Sequence, residues 1–167
     1  MSLVDQYREM HLKGHFAGYS LKAHTEDIRQ LVQLTRAKSL LDYGCGKGHQ
    51  YSLSKMHRVW GGIMPTLYDP GVEQLSTKPS AKFDGVICTD VLEHIPEGEV
   101  EETLREIFSY ATKFVYLSIC TRPAKKTLPD GRNAHVTIKE PAWWAGKIHA
   151  ASDGLGPDVV IEAIYTE

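Results

Sequence analysis

Two patterns of apolar positions alternate along the chain, one with the spacing of a helix and the other in short, nearly continuous runs. Helical spacing predicts helices over residues 3–13, 25–36, 99–112 and 142–150, and a further helix from Gly48 to about Arg58. The continuous runs predict buried strands at residues 39–43, 66–69, 83–89, 113–120 and 159–165. Because strands and helices alternate, the expected fold is α/β, with a parallel sheet covered by helices.

Composition sets the size of the core and the sign of the surface charge. The chain has 167 residues, of which 42% are hydrophobic and 24% charged, so one layered core is expected. A formal charge of -2 favours neither nucleic acid nor an anionic membrane as a partner. No apolar run approaches the roughly 18 residues that cross a bilayer, and residues 1–9 lack an apolar leader segment. We therefore expect a cytoplasmic protein.

The three cysteines are Cys45, Cys88 and Cys120. They are odd in number and far apart, and none belongs to a Cys-x-x-Cys pair. They are predicted to be reduced thiols, two of them inside apolar strands.

A glycine-rich segment, Asp-x-Gly-x-Gly-x-Gly over residues 42–48, follows the first predicted strand at the start of a helix. Glycines allow a tight turn and a close approach to a ligand, and the free N–H groups of a helix start attract a negative group. A phosphate-binding P-loop is excluded, because a glycine follows Lys47 where Ser or Thr is required. A dinucleotide fingerprint is excluded as well, because its third glycine would fall on His49.

Three segments together resemble the class I methyltransferases that use S-adenosylmethionine. Residues 40–48 are similar to the family's glycine motif, Tyr68-Asp69 to the acidic end of its second strand, and residues 83–95 to its strand-four segment. Their order within one α/β pattern makes the match specific. Weaker similarity extends to residues 135–138. The resemblance implies a Rossmann-like, mostly parallel sheet with helices on both faces.

The resemblance also implies how the cofactor S-adenosylmethionine would be held. Gly44 and Gly46 would leave room for its methionyl part, with Asp42 near the ammonium group. Asp69 would accept hydrogen bonds from both ribose hydroxyls. The alternative is that both acids only cap turns. The predicted cofactor-binding residues are Asp42, Gly44, Cys45, Gly46, Asp69, Thr89 and Asp90.

One interval departs from the family pattern. Only 14 residues separate Asp69 from Asp84, and two of them are prolines. The family's helix and third strand do not fit this length, because a helical crossover alone needs about a dozen residues. We expect a compact variant that lacks the third strand and part of the C-terminal hairpin. The adenine contact would then come from the backbone of residues 76–80 or from the Thr89 region.

A second group of polar residues follows the predicted strand 83–89. By the same resemblance His94 would face the methyl acceptor, where a neutral imidazole can take a proton. The predicted catalytic residues are His94, Glu93 and His135. We assign no metal, although two alternatives stay open. One is a local structural role, and the other is a divalent ion held, as in some small-RNA and quinone-pathway methyltransferases, by Asp90, Glu93, His94 and His135.

The loop at residues 121–134 bears on the acceptor. Against the single acid Asp130 it carries four cations, namely Arg122, Lys125, Lys126 and Arg132. Such a run is usually a solvated face. Its expected position at the carboxyl edge of the sheet makes an anionic acceptor conceivable.

These features predict a single methyltransferase domain over residues 1–167. Residues 1–36 would form N-terminal helices that could act as a lid, residues 39–120 the cofactor-binding core, and residues 121–167 the acceptor-side loop with the last helix and strand. The predicted activity is methyl transfer to a small-molecule acceptor, with nucleic acid not favoured and no membrane partner. The alternatives are a metal-dependent nucleic-acid 2'-O-methyltransferase and a catalytically silent S-adenosylmethionine-binding module.

Overall fold

A five-stranded sheet forms the centre of the molecule. The computed structural model describes residues 1–16 and 18–167. The strands are β1 (Leu40–Tyr43), β2 (Thr66–Tyr68), β3 (Phe83–Thr89), β4 (Ala111–Cys120) and β5 (Val160–Thr166). All neighbouring strands are parallel, in the order β2-β1-β3-β4-β5. The carboxyl ends of the strands therefore lie at one edge of the sheet.

Helices cover both faces of the sheet, and strand residues alternate between the two cores. The helices are α1 (Leu3–Leu12), α2 (Thr25–Thr35), α3 (His49–Ser52), α4 (Val100–Ser109) and α5 (Pro141–Ala151). Val86 and Cys88 of β3 share one core with α4 and α5, whereas Ile87 shares the other with α2. This arrangement confirms the Rossmann-like α/β fold. Among residues 1–16 and 18–167, no helix combines the length and the apolar character that crossing a membrane requires.

The prediction of one helix from Gly48 to Arg58 is wrong. The α-helix ends at Ser52, and a separate 3-10 helix runs over Met56–Trp60. Lys55 between them has φ +53°, a left-handed conformation that no α-helix can contain. The break lets Trp60 bury its ring and donate from Nε1 to the carbonyl oxygen of Ile63 at 3.0 Å. Burial of a large aromatic side chain therefore overrides the local helical preference.

The compact form of the sheet agrees with the short interval after β2. Residues 69–82, all of which the structure describes, contain a short 3-10 helix at Glu73–Leu75 and no strand. At the other edge β5 pairs with β4 in parallel register from Phe114 and Val160 onwards. No antiparallel strand joins this sheet in the described part of the chain. The third strand and the antiparallel hairpin of the family pattern are both missing from the described residues.

Candidate functional site

The candidate site lies at the carboxyl ends of β1 to β4, and α1 covers it. Arg8 donates to the carbonyl oxygen of Pro70 at 3.3 Å. The His11 ring lies so close to the glycine loop and to the turn after β2 that a β-carbon added to Gly71 would stand 3.2 Å from it. Helix α1 therefore forms one wall of the site.

The glycine loop turns sharply at the end of β1. The amides of Gly44 and Cys45 both donate to the carbonyl oxygen of Tyr68, at 2.7 and 3.2 Å. Gly44 has φ +82°, and a β-carbon there would lie 2.3 Å from a methyl carbon of Val91. Both the turn and the approach of Val91 therefore require glycine at this position.

The carboxylate of Asp69 ties the glycine loop to the end of β2. One oxygen accepts a hydrogen bond from the Gly46 amide and the other from the Gly71 amide, each at 2.8 Å. The side chain is buried. Because each carboxylate oxygen has two lone pairs, one lone pair on each oxygen is still available to a ligand that donates two hydroxyl groups.

Asp42 is buried beneath the same loop. The Tyr51 hydroxyl donates to its Oδ2 at 2.7 Å. Burial raises the pKa of Asp42 to about 7, against the lowering effect of the Tyr51 hydrogen bond. Cys45 is also buried, and burial raises the pKa of its thiol, with Asp42 and Asp69 adding to the rise. Asp42, Cys45 and Asp69 therefore form one electrostatically connected group.

A cavity of about 390 Å³ opens beside this group, between α1 and the turn after β2. Its size falls within the range of small-molecule sites. Gly71, whose amide Asp69 holds, belongs to its wall. The other wall residues are Arg8, His11, Leu12, Lys47, Val72, Glu73, Gln74 and Leu75.

Strand β3 ends at the site in an unusual backbone conformation. Thr89, its last residue, is buried, and Asp90 has φ +54°. Aspartate tolerates this left-handed conformation better than most residues, and its Oδ1 here accepts a hydrogen bond from the Ser118 hydroxyl at 2.9 Å. The chain then continues to Val91, which packs on Gly44. Asp90 thus shapes the backbone beside the glycine loop.

The imidazole of His94 lies on the other side of this turn. Its Nδ1 is 2.7 Å from the carbonyl oxygen of Ala134, so the neutral ring donates from Nδ1 and keeps its lone pair on Nε2. Burial lowers the pKa of His94 to about 4. The ring is therefore neutral near neutral pH and can accept a proton on Nε2.

Aromatic rings surround His94. The centroids of Tyr7, Phe16 and His135 lie 5.1, 6.0 and 4.9 Å from that of His94. The Tyr7 hydroxyl also donates to the carbonyl oxygen of Ala134 at 2.8 Å. Neither Tyr7 nor His11 was predicted as a site residue. Their spacing of four residues on one face of the predicted first helix was the available signal.

Glu93 and His135, the other two predicted catalytic residues, come together with a residue that was not predicted. One donor atom each from Glu93, Cys120 and His135 lies within 4.8 Å of the others. Burial raises the pKa of the Glu93 carboxyl to about 8. Asp90 and His94, from the alternative metal set, are not part of this group; the structure places their side chains on Ser118 and Ala134.

Sequence comparison identifies the family. The sequence model of a family described as a methyltransferase domain matches residues 15–149. The chain belongs to this methyltransferase family. One curated relative is the ubiquinone biosynthesis O-methyltransferase of Pseudoalteromonas translucida (strain TAC 125), 24% identical over 138 residues, with 63% of this chain and 58% of the relative covered. The chain thus spans less than two thirds of that relative, and no solved structure matches it.

The loop at residues 121–134, called the basic loop for its four cations, folds against α1 of this methyltransferase domain. Arg132 pairs with Asp130 at 2.7 Å, and the Asp130 carboxylate also accepts from the Gln6 side chain at 2.8 Å. The Lys126 ammonium group donates to the carbonyl oxygen of His15 and lies 5.0 Å from the centroid of the Phe16 ring. Two of the four cations of the basic loop, Lys126 and Arg132, are therefore paired with other groups of the same chain.

Replacing Asp42 with Asn should stabilise the domain more at pH 8 than at pH 4.5. The folded-state pKa of about 7 lies above the ordinary value of 3.8, so folding favours the protonated acid. The wild type therefore loses stability as the pH rises from about 4 to about 7, and linkage puts the difference between the two pH values at about 3 kcal/mol.

Urea unfolding of both proteins at both pH values measures this difference. Groups that both proteins share, including Glu93, cancel in the comparison. Equal stability differences between variant and wild type at the two pH values would show that Asp42 is ionised in the folded domain.

Proposed function

We propose that this chain is an S-adenosylmethionine-dependent methyltransferase that acts on a small-molecule acceptor. Asp69 is the observation that carries the proposal. Its buried carboxylate holds the glycine loop through Gly46 and adjoins the cavity through Gly71. Membership of the methyltransferase family supports the choice of cofactor.

The adenosine part of the cofactor would lie between α1 and residues 71–75. The remaining lone pairs of Asp69 would accept the two ribose hydroxyls. Arg8 Nε and His11 Nδ1 are buried and have no hydrogen-bond partner among the described residues, so both are available to the base. Residues 76–80 do not belong to the cavity wall, so in this proposal α1 would make the adenine contact that the family's third strand normally provides.

The methionyl part would follow the glycine loop towards His94. Asp42 beneath the loop would be drawn towards its ionised form by the ammonium group, because an opposite charge lowers the pKa of a carboxyl. Thr89 and Asp90 would border the same part of the cofactor at the end of β3. The remaining predicted contacts are Gly44, Cys45 and Gly46.

When bound, the cofactor supplies a methyl group activated on a sulfonium centre. In-line displacement forms a bond between the acceptor atom and the methyl carbon and breaks the carbon–sulfur bond, so the domain's task is alignment and exclusion of water. His94 would receive the acceptor's proton on Nε2. Tyr7 and Phe16 would hold the body of the acceptor against the imidazole.

An oxygen nucleophile on an acceptor with an aromatic or apolar body fits this site best. The aromatic rings packed around His94 favour an apolar or aromatic acceptor body, and a hydroxyl group can lose its proton to a nearby imidazole. The curated relative is named for O-methyl transfer in ubiquinone biosynthesis, which supports the same class of acceptor. Lys126 and Arg132 are held by contacts within the chain. An anionic group on the acceptor would therefore meet the other two cations of the basic loop, Arg122 and Lys125.

A cofactor-binding module without catalysis is the second candidate. The missing third strand favours it, because the sheet ends at β2 in the described residues and the cofactor wall depends on α1. A nucleic-acid substrate fits less well, since the formal charge is -2 and two of the four cations of the basic loop are paired within the chain.

Incubation with methyl-labelled S-adenosylmethionine tests the proposal. A panel of catechols and other phenols, a small-molecule extract and total RNA would serve as parallel acceptors. Label in a phenolic or extract compound, with release of S-adenosylhomocysteine in equal amount, is the expected result. Cofactor-induced stabilisation without label in any fraction would favour the silent module, and label in RNA alone would overturn the small-molecule acceptor.

A further inference from the structure

Three potential metal donors meet next to His94, where the proposed acceptor would bind; this region is the acceptor side of the site. Glu93 lies in the turn after β3, Cys120 is the last residue of β4, and His135 follows the basic loop. One donor atom of each side chain lies within 4.8 Å of the other two. A tetrahedral zinc site holds its donors about 3.5 Å apart, so small side-chain rotations would close the group around an ion.

One carboxyl oxygen of Glu93 is buried and has no hydrogen-bond partner among the residues that the structure describes. Its side chain is fully buried, with 0% of its surface exposed. Oε1 accepts a hydrogen bond from the Cys120 amide at 3.1 Å, whereas Oε2 is buried without a hydrogen-bond partner in the described part of the chain. A buried carboxylate oxygen that lacks a donor is costly, and a cation would satisfy it.

The contacts of His135 and Cys120 also leave one donor atom of each side chain available to an ion. His135 Nδ1 lies 2.7 Å from the carbonyl oxygen of Arg122 and donates to it, so Nε2 is the nitrogen left for an ion. A backbone hydrogen bond to the second ring nitrogen is typical of metal-bound histidines. Among residues 1–16 and 18–167 the Cys120 thiol donates only to the Arg122 carbonyl oxygen, at 3.9 Å, and it forms no disulfide.

Charge and donor type select the ion. A thiolate, a carboxylate and a neutral imidazole carry two negative charges in total, so a divalent cation makes this buried group neutral. Sulfur and imidazole nitrogen favour zinc over magnesium or calcium, which prefer oxygen donors. Three protein donors also leave one tetrahedral position open, as in catalytic zinc sites.

We propose that Glu93, Cys120 and His135 bind one zinc ion whose open position faces the acceptor side, beside His94. Binding would release the protons that the Cys120 thiol and the Glu93 carboxyl carry in the metal-free domain. The use of the open position rests on the proposed function: an acceptor hydroxyl bound there would lose its proton to His94 Nε2 more easily before it attacks the methyl carbon. The zinc site itself does not depend on methyl transfer.

Cobalt(II) is the probe for the test, because a thiolate ligand gives it a near-ultraviolet charge-transfer band and a tetrahedral site gives it strong visible bands. The purified full chain, treated with a chelator and then titrated with cobalt, should develop both at one ion per chain. Zinc should displace the cobalt. Cys120→Ser should abolish the charge-transfer band and weaken zinc binding at least tenfold, and His135→Asn should weaken binding while the sulfur band persists at saturation.

Cys88→Ala is the matched control, because it removes a buried thiol from β3 that is not part of the group. It should keep the cobalt spectrum, and thermal unfolding of each variant would check that it folds. A missing band in the wild type, a band that survives in Cys120→Ser, or equal losses in Cys120→Ser and Cys88→Ala would overturn the zinc site. Stabilisation by S-adenosylhomocysteine, measured on the same samples, would separately show whether the cofactor proposal stands.

Discussion

Replacing His94 with Gln should lower the rate of methyl transfer by about 10²- to 10⁴-fold while cofactor binding stays unchanged, since this is the range over which a positioned proton acceptor acts. Gln keeps much of the size of the side chain and can still donate to the Ala134 carbonyl oxygen. It cannot accept the acceptor's proton as an imidazole does. The measurement is kcat at saturating cofactor, with the acceptor that takes up label.

The pKa of His94 adds a second signature to this experiment. Because burial lowers that pKa to about 4, the ring is already neutral at pH 6. Protonation of His94 should therefore reduce the wild-type rate only as the pH falls towards 4, and the variant should lack this inflection. His149 is an exposed histidine on α5, and His149→Gln serves as the control that should keep the wild-type rate. An unchanged kcat in His94→Gln would remove its role as proton acceptor.

Short-range patterns predicted the framework of the domain. The Asp-x-Gly-x-Gly-x-Gly loop and the acid at the end of the next strand could be found because each is set by neighbouring residues and by the end of a strand. Parallel order then brings the two together, and the hydrogen bond between Asp69 and the Gly46 amide is the outcome. The compact sheet was also predictable, because the length of the interval after Asp69 excludes a helix and a strand.

Contacts between distant segments were beyond the sequence patterns. Tyr7 and Ala134 are separated by 127 positions, and no periodicity indicates that their hydrogen bond joins α1 to the backbone that also holds His94. Cys120 was predicted as a reduced thiol in a strand, since nothing in its spacing reveals that its amide donates to the Glu93 side chain in the turn after β3. The prediction of one long helix after the glycine loop was also wrong because of contacts between distant segments, since tertiary packing buries Trp60.

Replacing Asp69 with Ala should remove nearly all of the stabilisation that the cofactor gives to the domain. At a hundredfold excess over its Kd, a bound ligand raises the free energy of unfolding by about 2.7 kcal/mol. Two hydroxyl groups that donate to one carboxylate contribute about 3 kcal/mol together, so their loss raises Kd more than a hundredfold. At the same cofactor concentration, less than about 0.5 kcal/mol of stabilisation would then be left.

Thermal unfolding with and without S-adenosylhomocysteine measures this change, each variant being compared with its own ligand-free form. That comparison is essential, because Asp69 also accepts the Gly46 and Gly71 amides, and Asp69→Ala lowers the stability of the ligand-free domain by itself. Asp158→Ala, which removes an exposed acid from the turn before β5, should keep the full cofactor effect. If Asp69→Ala keeps it as well, Asp69 only anchors the glycine loop, and another group binds the ribose.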